Sequence, residues 1–332
     1  MTNPLVSVVV IGRNEGQRLA TCLESIKEIT TPKEAIELIY VDSNSQDDSP
    51  ELAEALGAKV LRVNPQRPCA AIGRNAGWRV ATAPYILFLD GDTLLHPNFL
   101  QLALDAMADE TVAVVWGHRR EMCPEHSLYN RVLDLDWIYP TGIAEFCGGD
   151  ALMRRSILEQ VDGFSENLIA GEEPELCQRI RALNKSILHI DQPMTRHDLA
   201  ITRFSAYWKR AFRAGHAYAD VAQRMKNSTF PLWQDECRRN ALRATVLVGL
   251  LVAALLFSII TNHVLAIIGV LLFYALLIVR SAYKACWKDK HPVTLLLYGI
   301  HSQFQQIPIA CGQLSYWYHR FHNKQQSLIE YK

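Results

Sequence analysis

Short apolar runs alternate with stretches of helical spacing through residues 5–120. Val6–Ile11, Ile36–Val41, Lys59–Val63, Tyr85–Leu89 and Val112–Trp116 read as strands, Tyr85–Leu89 as a buried one. Residues 17–28, 49–56, 70–81 and 97–107 have the spacing of helices, the second opening on Asp47-Asp48-Ser49-Pro50, a helix-start pattern. Strands that alternate with helices predict an α/β fold, with parallel strands joined by helical crossovers. The pattern continues more loosely. Phe146–Asp150 reads as a loop or bulged strand before a helix start, Glu172–Ala182 as a helix after Gly171, and Ser186–Ile190 as a strand. No internal repeat or low-complexity segment interrupts it.

Beyond residue 200 the pattern changes. Phe204, Tyr207, Trp208, Ala211, Phe212, Gly215, Tyr218, Ala219 and Ala222 recur at helical spacing, with Arg203, Lys209, Arg210 and Arg213 largely off that stripe. An aromatic face beside a basic face suits a helix lying in a membrane interface, and equally one packed on a globular domain. Ala244–Thr261 and Val264–Val279 are almost wholly apolar, with Asn262-His263 the polar break between them. Their lengths suit a transmembrane hairpin. Arg238, Arg239 and Arg243 precede the pair, and Arg280, Lys284, Lys288 and Lys290 follow it. This distribution predicts cytosolic outer ends and an external turn. Val293–Tyr318 opens apolar but carries His301, four glutamines and Pro308, which predicts an interfacial or re-entrant segment; Tyr316–Tyr318 with His319-Arg320 would anchor it. The expected divisions are residues 1–200, 201–240 (amphipathic), 241–283 (hairpin) and 284–332.

Charge and cysteine content narrow the function classes. Lys plus Arg and Asp plus Glu number 34 each, so no global field points to nucleic acid. Eight cysteines lack a Cys-x-x-Cys pair or zinc spacing, as expected of reduced thiols in a cytosol-facing protein. The run Val6–Ile11 is too short for a signal-peptide core.

The candidate chemistry lies at predicted strand ends. Asp90-Gly91-Asp92 directly follows Tyr85–Leu89, bringing two carboxylates to the edge of an α/β sheet where ligands bind. Such a pair suits Mg²⁺ or Mn²⁺ bridging to a diphosphate, though Asp-Gly also makes plain turns. Glu15, after the first strand, could accept from a ribose or base, while Asn14 would serve as a helix cap. Asp42, ending the second strand, could accept from a base N–H, and Arg74 could neutralise a diphosphate.

In order, the segments VSVVVIGRNE, YVDSNSQDDS, GRNAGW, FLDGD, GGDALMRR and GEEPELCQRIR resemble the family 2 glycosyltransferases over residues 5–200. The resemblance implies a GT-A nucleotide-sugar-binding domain, a mixed, mainly parallel sheet flanked by helices. It implies a nucleotide-diphosphate sugar donor, a divalent metal and inversion at the anomeric carbon. Asp42 would meet the nucleobase, Asp90 the ribose side and Asp92 the metal. Glu172-Glu173 falls where the family usually has Glu-Asp, the second carboxylate serving as general base. Some relatives use a His at the position of His197 as a metal ligand or pyrophosphate contact, although a lone His is more often structural. Three departures stand out: Arg13 replaces the usual Tyr, Asp42-Ser43-Asn44-Ser45 keeps one carboxylate of the usual pair, and Glu173 replaces Asp. The processive Gln-x-x-Arg-Trp motif is absent. Together these readings predict an integral membrane glycosyltransferase with a cytosolic catalytic domain and a lipid-linked acceptor. The rival is a non-catalytic sugar-nucleotide-binding membrane scaffold or sensor of polysaccharide assembly.

Overall fold

The computed structural model describes residues 3–30 and 35–324, so the last part of the expected 284–332 segment, residues 325–332, lies outside the described residues. The chain forms two compact units. The first comprises residues 1–122, 137–199 and 227–232, and the second residues 123–136, 200–226 and 233–332.

The first unit is built on a sheet that has nine strands among the described residues. β1 (Val6–Gly12), β2 (Ile36–Asp42), β3 (Lys59–Arg62) and β4 (Tyr85–Asp90) are parallel, in the order β3-β2-β1-β4. Every residue from Val6 to Val10 is buried, as expected of a strand covered on both faces. The crossovers are α1 (Gln17–Lys27), α2 (Ser49–Ala55) and α3 (Ala70–Val80). The chain moves outward from β1 to β2 and β3, then returns to place β4 on the other side of β1. The strand order therefore reverses between β1 and β4, and the crevice at their carboxyl ends is where such sheets bind ligands. Gly12 pairs with Asp42 and Ile11 with Asp90, so these two aspartates flank the end of β1.

The rest of the sheet is mixed. β5 is Thr93–Leu95, followed by α4 (Phe99–Ala106) and β6 (Val112–Glu121). β7 is Gly142–Ala144 and β8 is Ala151–Arg154, leading into α6 (Arg155–Gln160). α7 (Glu172–Ala182) precedes β9 (Ser186–His197). β8 runs antiparallel to β4 and β6, while β9 is parallel to β6 and antiparallel to β5 and β7. Two strands outrun the sequence expectation: β6 continues through His118-Arg119-Arg120-Glu121, and β9 through Thr195-Arg196-His197. Register shifts around Trp116, His118 and Arg119 break the period-two alternation that would reveal them.

The second unit is helical. α5 (Leu128–Asp136), α8 (Phe204–Arg224), α9 (Gln234–Thr261), α10 (Leu265–Lys284), α11 (Pro292–Phe304) and α12 (Gln306–Phe321) compose it. α9 and α10 are long and apolar enough to cross a membrane, with mean hydropathy of 2.6 and 2.3 in their best windows. Little of either is covered by protein, 17% of the first window and 0% of the second. In α8 the small residues of the stripe and Tyr207 are covered by protein, while Phe204 is exposed and Trp208, Phe212 and Tyr218 are half-buried. Tyr207, Ala211, Gly215, Ala219 and Ala222 are buried, and α8 lies directly on α12. A Cβ on Gly312 would come within 2.0 Å of the Phe212 carbonyl oxygen, and one on Gly215 within 2.0 Å of that of Ile309. The small residues of the stripe thus form a helix–helix seam with close backbone approach. Gln306 and Gln313 are buried on α12, and Pro308 sits in its first turn, where a missing N–H costs nothing.

Candidate active site

The site begins at the carboxyl end of β4. Asp90 closes that strand and Asp92 sits two residues on, at the entry to β5. Thr93 of β5 pairs with His197 of β9, bringing the imidazole to the same corner. His197 Nε2 lies 3.1 Å from Asp92 Oδ1, and both residues are 5% exposed. One donor atom from each of Asp90, Asp92 and His197 lies within 4.8 Å of the others. Two carboxylate oxygens and an imidazole nitrogen form a donor set for a divalent cation of hard or borderline character.

Arg74 of α3 is the pivot of the neighbouring network. Its guanidinium is 2% exposed and donates to Asp90 Oδ1 at 3.0 Å and to Glu172 Oε1 at 2.9 Å, with Glu173 Oε1 also at 2.9 Å. Both glutamates sit in the first turn of α7, behind Gly171 at φ 86°. The chain passes this cluster at Gly149, where a Cβ would meet Arg74 Nη2 at 2.5 Å. A side chain there would push the guanidinium off its carboxylates.

Two participants were not singled out by sequence reasoning. Asp150 accepts from the Asp90 backbone N–H at 3.1 Å and from Thr195 Oγ1 at 2.8 Å. Arg119 of β6 donates to Asp90 Oδ2 at 3.4 Å, approaches Asp150 Oδ2 at 3.7 Å and lies 4.7 Å above the ring of Trp137. The Gly148-Gly149-Asp150 triplet was a visible signal for the first. Nothing in a single sequence marks Arg119, which lies in the irregular half of β6.

Glu15 and Asp42 stand at the ends of the adjoining strands rather than in the Arg74 network. Glu15 pairs with Arg18 at 2.9 Å. Asp42 is 2% exposed and accepts from Ser45 N at 2.9 Å, from Ser45 Oγ and from the Tyr40 hydroxyl.

The electrostatics divide the carboxylates. Four of them, Asp90, Asp150, Glu172 and Glu173, gather around the two guanidiniums of Arg74 and Arg119, and a fifth, Asp92, pairs with His197. Burial would raise the Asp90 pKa, but Arg74 and Arg119 outweigh it and hold the group below its ordinary value. At Asp150 burial prevails over Arg119 and the pKa is raised. Glu173 is pushed up to about 7, by burial first and then by Glu172 beside it, against the opposing pull of Arg74. The excess of carboxylates over guanidiniums favours an added cation, and the donor set of Asp90, Asp92 and His197 is where one fits.

The family model for glycosyl transferase family 2 matches residues 7–162, and that for glycosyl transferase family group 2 matches residues 85–285. The chain belongs to the family 2 glycosyltransferases. It is an enzyme of that class, and its sheet has the GT-A arrangement. Glycosyltransferase AglE from Haloferax volcanii is 22% identical over 231 residues, which is 66% of this chain and 75% of AglE. Glycosyltransferase GlyG from Streptococcus pneumoniae is 32% identical over a shorter stretch, 34% of this chain and 38% of GlyG. The mannosyltransferase PcManGT from Pyrobaculum calidifontis, solved with GDP-Man and Mn²⁺, has a similar fold. It gives a TM-score of 0.68 at 20% identity, covering 96% of this chain and 89% of that one.

Proposed function

We propose that this glycosyltransferase is metal-dependent and inverting, and that it moves a sugar from a nucleoside-diphosphate sugar to a hydroxyl of a lipid-linked acceptor at the cytosolic membrane face. The observation that carries the reading is the adjacency of two groups. A cation-suited triad, Asp90, Asp92 and His197, shares Arg74 through Asp90 with a carboxyl, Glu173, poised near neutrality.

Asp92 and His197, with Asp90, would hold Mg²⁺ or Mn²⁺. Bound there, the cation would offset the charge that develops on the departing diphosphate. Glu173 accepts the proton of the attacking hydroxyl, with Glu172 beside it raising its basicity. Asp42 and Glu15, at the ends of β2 and β1, serve the nucleoside. Arg74 is too enclosed to meet the diphosphate directly. It acts on the donor through Asp90, which it orients and keeps ionised.

α9 and α10 form the proposed membrane hairpin, with Asn262-His263 on the far side and the flanking Lys/Arg clusters in the cytosol. Residues 1–200 are the catalytic portion, and those after 283 accompany the hairpin. A non-catalytic scaffold is the less favoured reading, because this chain keeps Asp90, Asp92 and a carboxylate at 173.

The test is nucleoside diphosphate release from a panel of UDP- and GDP-sugars by the purified chain. Release that needs Mg²⁺ or Mn²⁺ and stops with chelator is expected. A panel without binding or release would refute the reading.

A further inference from the structure

A groove of about 400 Å³ runs through the second unit between α8, α9 and α12. Its size falls in the range of small-ligand sites, about 300–1,000 Å³. On every helix the lining positions follow helical spacing, so each turns one face to the groove. Four alanines, Ala219, Ala222, Ala241 and Ala310, leave the space open. On the α12 wall Trp317 is 47% exposed and Leu314 69%, so apolar surface is left uncovered there.

The groove is polarised along α9. At one end lies Lys226, whose carbonyl accepts from Gln234 Nε2 at 3.4 Å. The lining then passes Arg238 and Ala241 and reaches Thr245, inside the apolar run that begins at Ala244. From Gln234 to Thr245 the helix rises roughly 16 Å. Both cations are available. Lys226 makes no ion pair among the described residues. Arg238 approaches Asp235 at 3.7 Å, in a pair whose side chains are 82% and 78% exposed, which holds it weakly. None of the described lining residues is a carboxylate.

A cationic end without carboxylates, leading to an apolar end within a membrane span, matches a lipid with an anionic headgroup. We propose that the groove holds an anionic glycerophospholipid, its phosphate taken by Lys226 and Arg238 and one acyl chain passing Ala241 toward Thr245. The proposal rests on the membrane hairpin read above. This lipid is a resident of the second unit and is not the acceptor. The lining includes none of Asp90, Asp92, Glu173 and His197, the groups that serve the transfer. Each cation near a membrane surface favours an anionic lipid roughly fivefold, so the pair should select it by about 25-fold.

The experiment uses the full chain in phosphatidylcholine vesicles, with dibrominated phosphatidylglycerol or dibrominated phosphatidylcholine added in steps. Bromine on an acyl chain beside Trp317 quenches its fluorescence, and a Trp317→Phe chain gives the background from the other tryptophans. Quenching by phosphatidylglycerol is expected at a mole fraction about tenfold lower, or less, than quenching by phosphatidylcholine. Lys226→Gln and Arg238→Gln should each reduce that preference about fivefold. Arg239→Gln, which neutralises a neighbour outside the lining, should leave it unchanged. Ala241→Phe should fill the groove and abolish the preference with both cations in place. Four results would overturn the proposal: equal quenching by the two lipids, as large a loss from Arg239→Gln as from Arg238→Gln, removal of the preference by inorganic phosphate alone, or displacement of phosphatidylglycerol by a smaller mole fraction of a polyprenyl phosphate. A chain that does not enter the vesicles would instead overturn the hairpin reading, and this proposal with it.

Discussion

Glu173→Gln is the sharpest perturbation of the site. The amide keeps the shape of the side chain and removes the proton acceptor. Arg74 retains Asp90 at 3.0 Å and Glu172 at 2.9 Å, so the guanidinium is not stranded and the fold should survive. Turnover onto a hydroxyl acceptor should fall by roughly two to four orders of magnitude. The wild-type pH profile supplies the mechanism. With the Glu173 pKa at about 7, the active, ionised form is half populated there, and the rate should fall tenfold for each pH step of one below it. In the variant that limb should vanish. Stability should move the opposite way. A carboxyl raised in the folded state contributes stability fully present below its unfolded value of 4.5 and lost as pH rises through about 7. A tenfold change in a protonation equilibrium corresponds to about 1.4 kcal/mol, so the variant should gain on the order of 3 kcal/mol at pH 8, less what Arg74 loses. The assays are initial rates of nucleoside diphosphate release with acceptor from pH 5 to 9, and thermal unfolding across the same range. A variant with the wild-type plateau, or one that keeps the limb near 7, would refute the assignment of Glu173 as base.

Other substitutions test separate parts of the structure. Asp92→Asn removes one of the charged oxygens beside His197 and should raise the Mn²⁺ concentration for half-maximal activity by about tenfold or more, read in a metal titration; an unchanged titration would remove Asp92 from the donor set. Gly312→Ala should destabilise the α8–α12 seam by about 1–3 kcal/mol, since the new Cβ would lie 2.0 Å from a backbone oxygen, whereas Gly249→Ala, with nothing within 4 Å, should be neutral or slightly stabilising in the same melt. Reporter tags at Met1 and Lys332, both outside the described residues, should read cytosolic and one at Asn262-His263 the opposite side; an external Lys332 would mean an odd number of crossings.

The parallel half of the sheet was legible because β1 and β4 are nearly continuous apolar runs and helical patterns separate the strands, and Asp90 and Asp92 were conspicuous because they end one. The mixed half was not. In β6 and β9 the residues beyond Trp116 and Ile190 face a polar site, and bulges break their alternation, so neither composition nor period marks them as strands. Arg119 and Thr195 were hidden with them. β5 and β7 have three residues each, too few for a pattern. The stripe on α8 shows a different limit. Aromatic and small residues at helical spacing look the same whether lipid or protein covers them, and the partner of the small ones, Ile309 against Gly215 and Gly312 against Phe212, lies far along the chain.

The two arginines of the centre act on different sets of carboxyls. Arg74 touches both Asp90 and Glu173, yet the two carboxyls shift in opposite directions. Burial raises both, and their remaining neighbours differ. Asp90 has a second cation, Arg119, which tips it toward the ionised form. Glu173 has a second anion, Glu172, which tips it toward the neutral form. Near neutral pH the arrangement therefore keeps a charged carboxylate at the cation site and a proton-accepting one beside it, the separation of roles that a metal-assisted transfer to a hydroxyl requires. Replacing Arg119 by a neutral residue should collapse that separation, because Asp90 would then compete with Glu173 for the single guanidinium of Arg74.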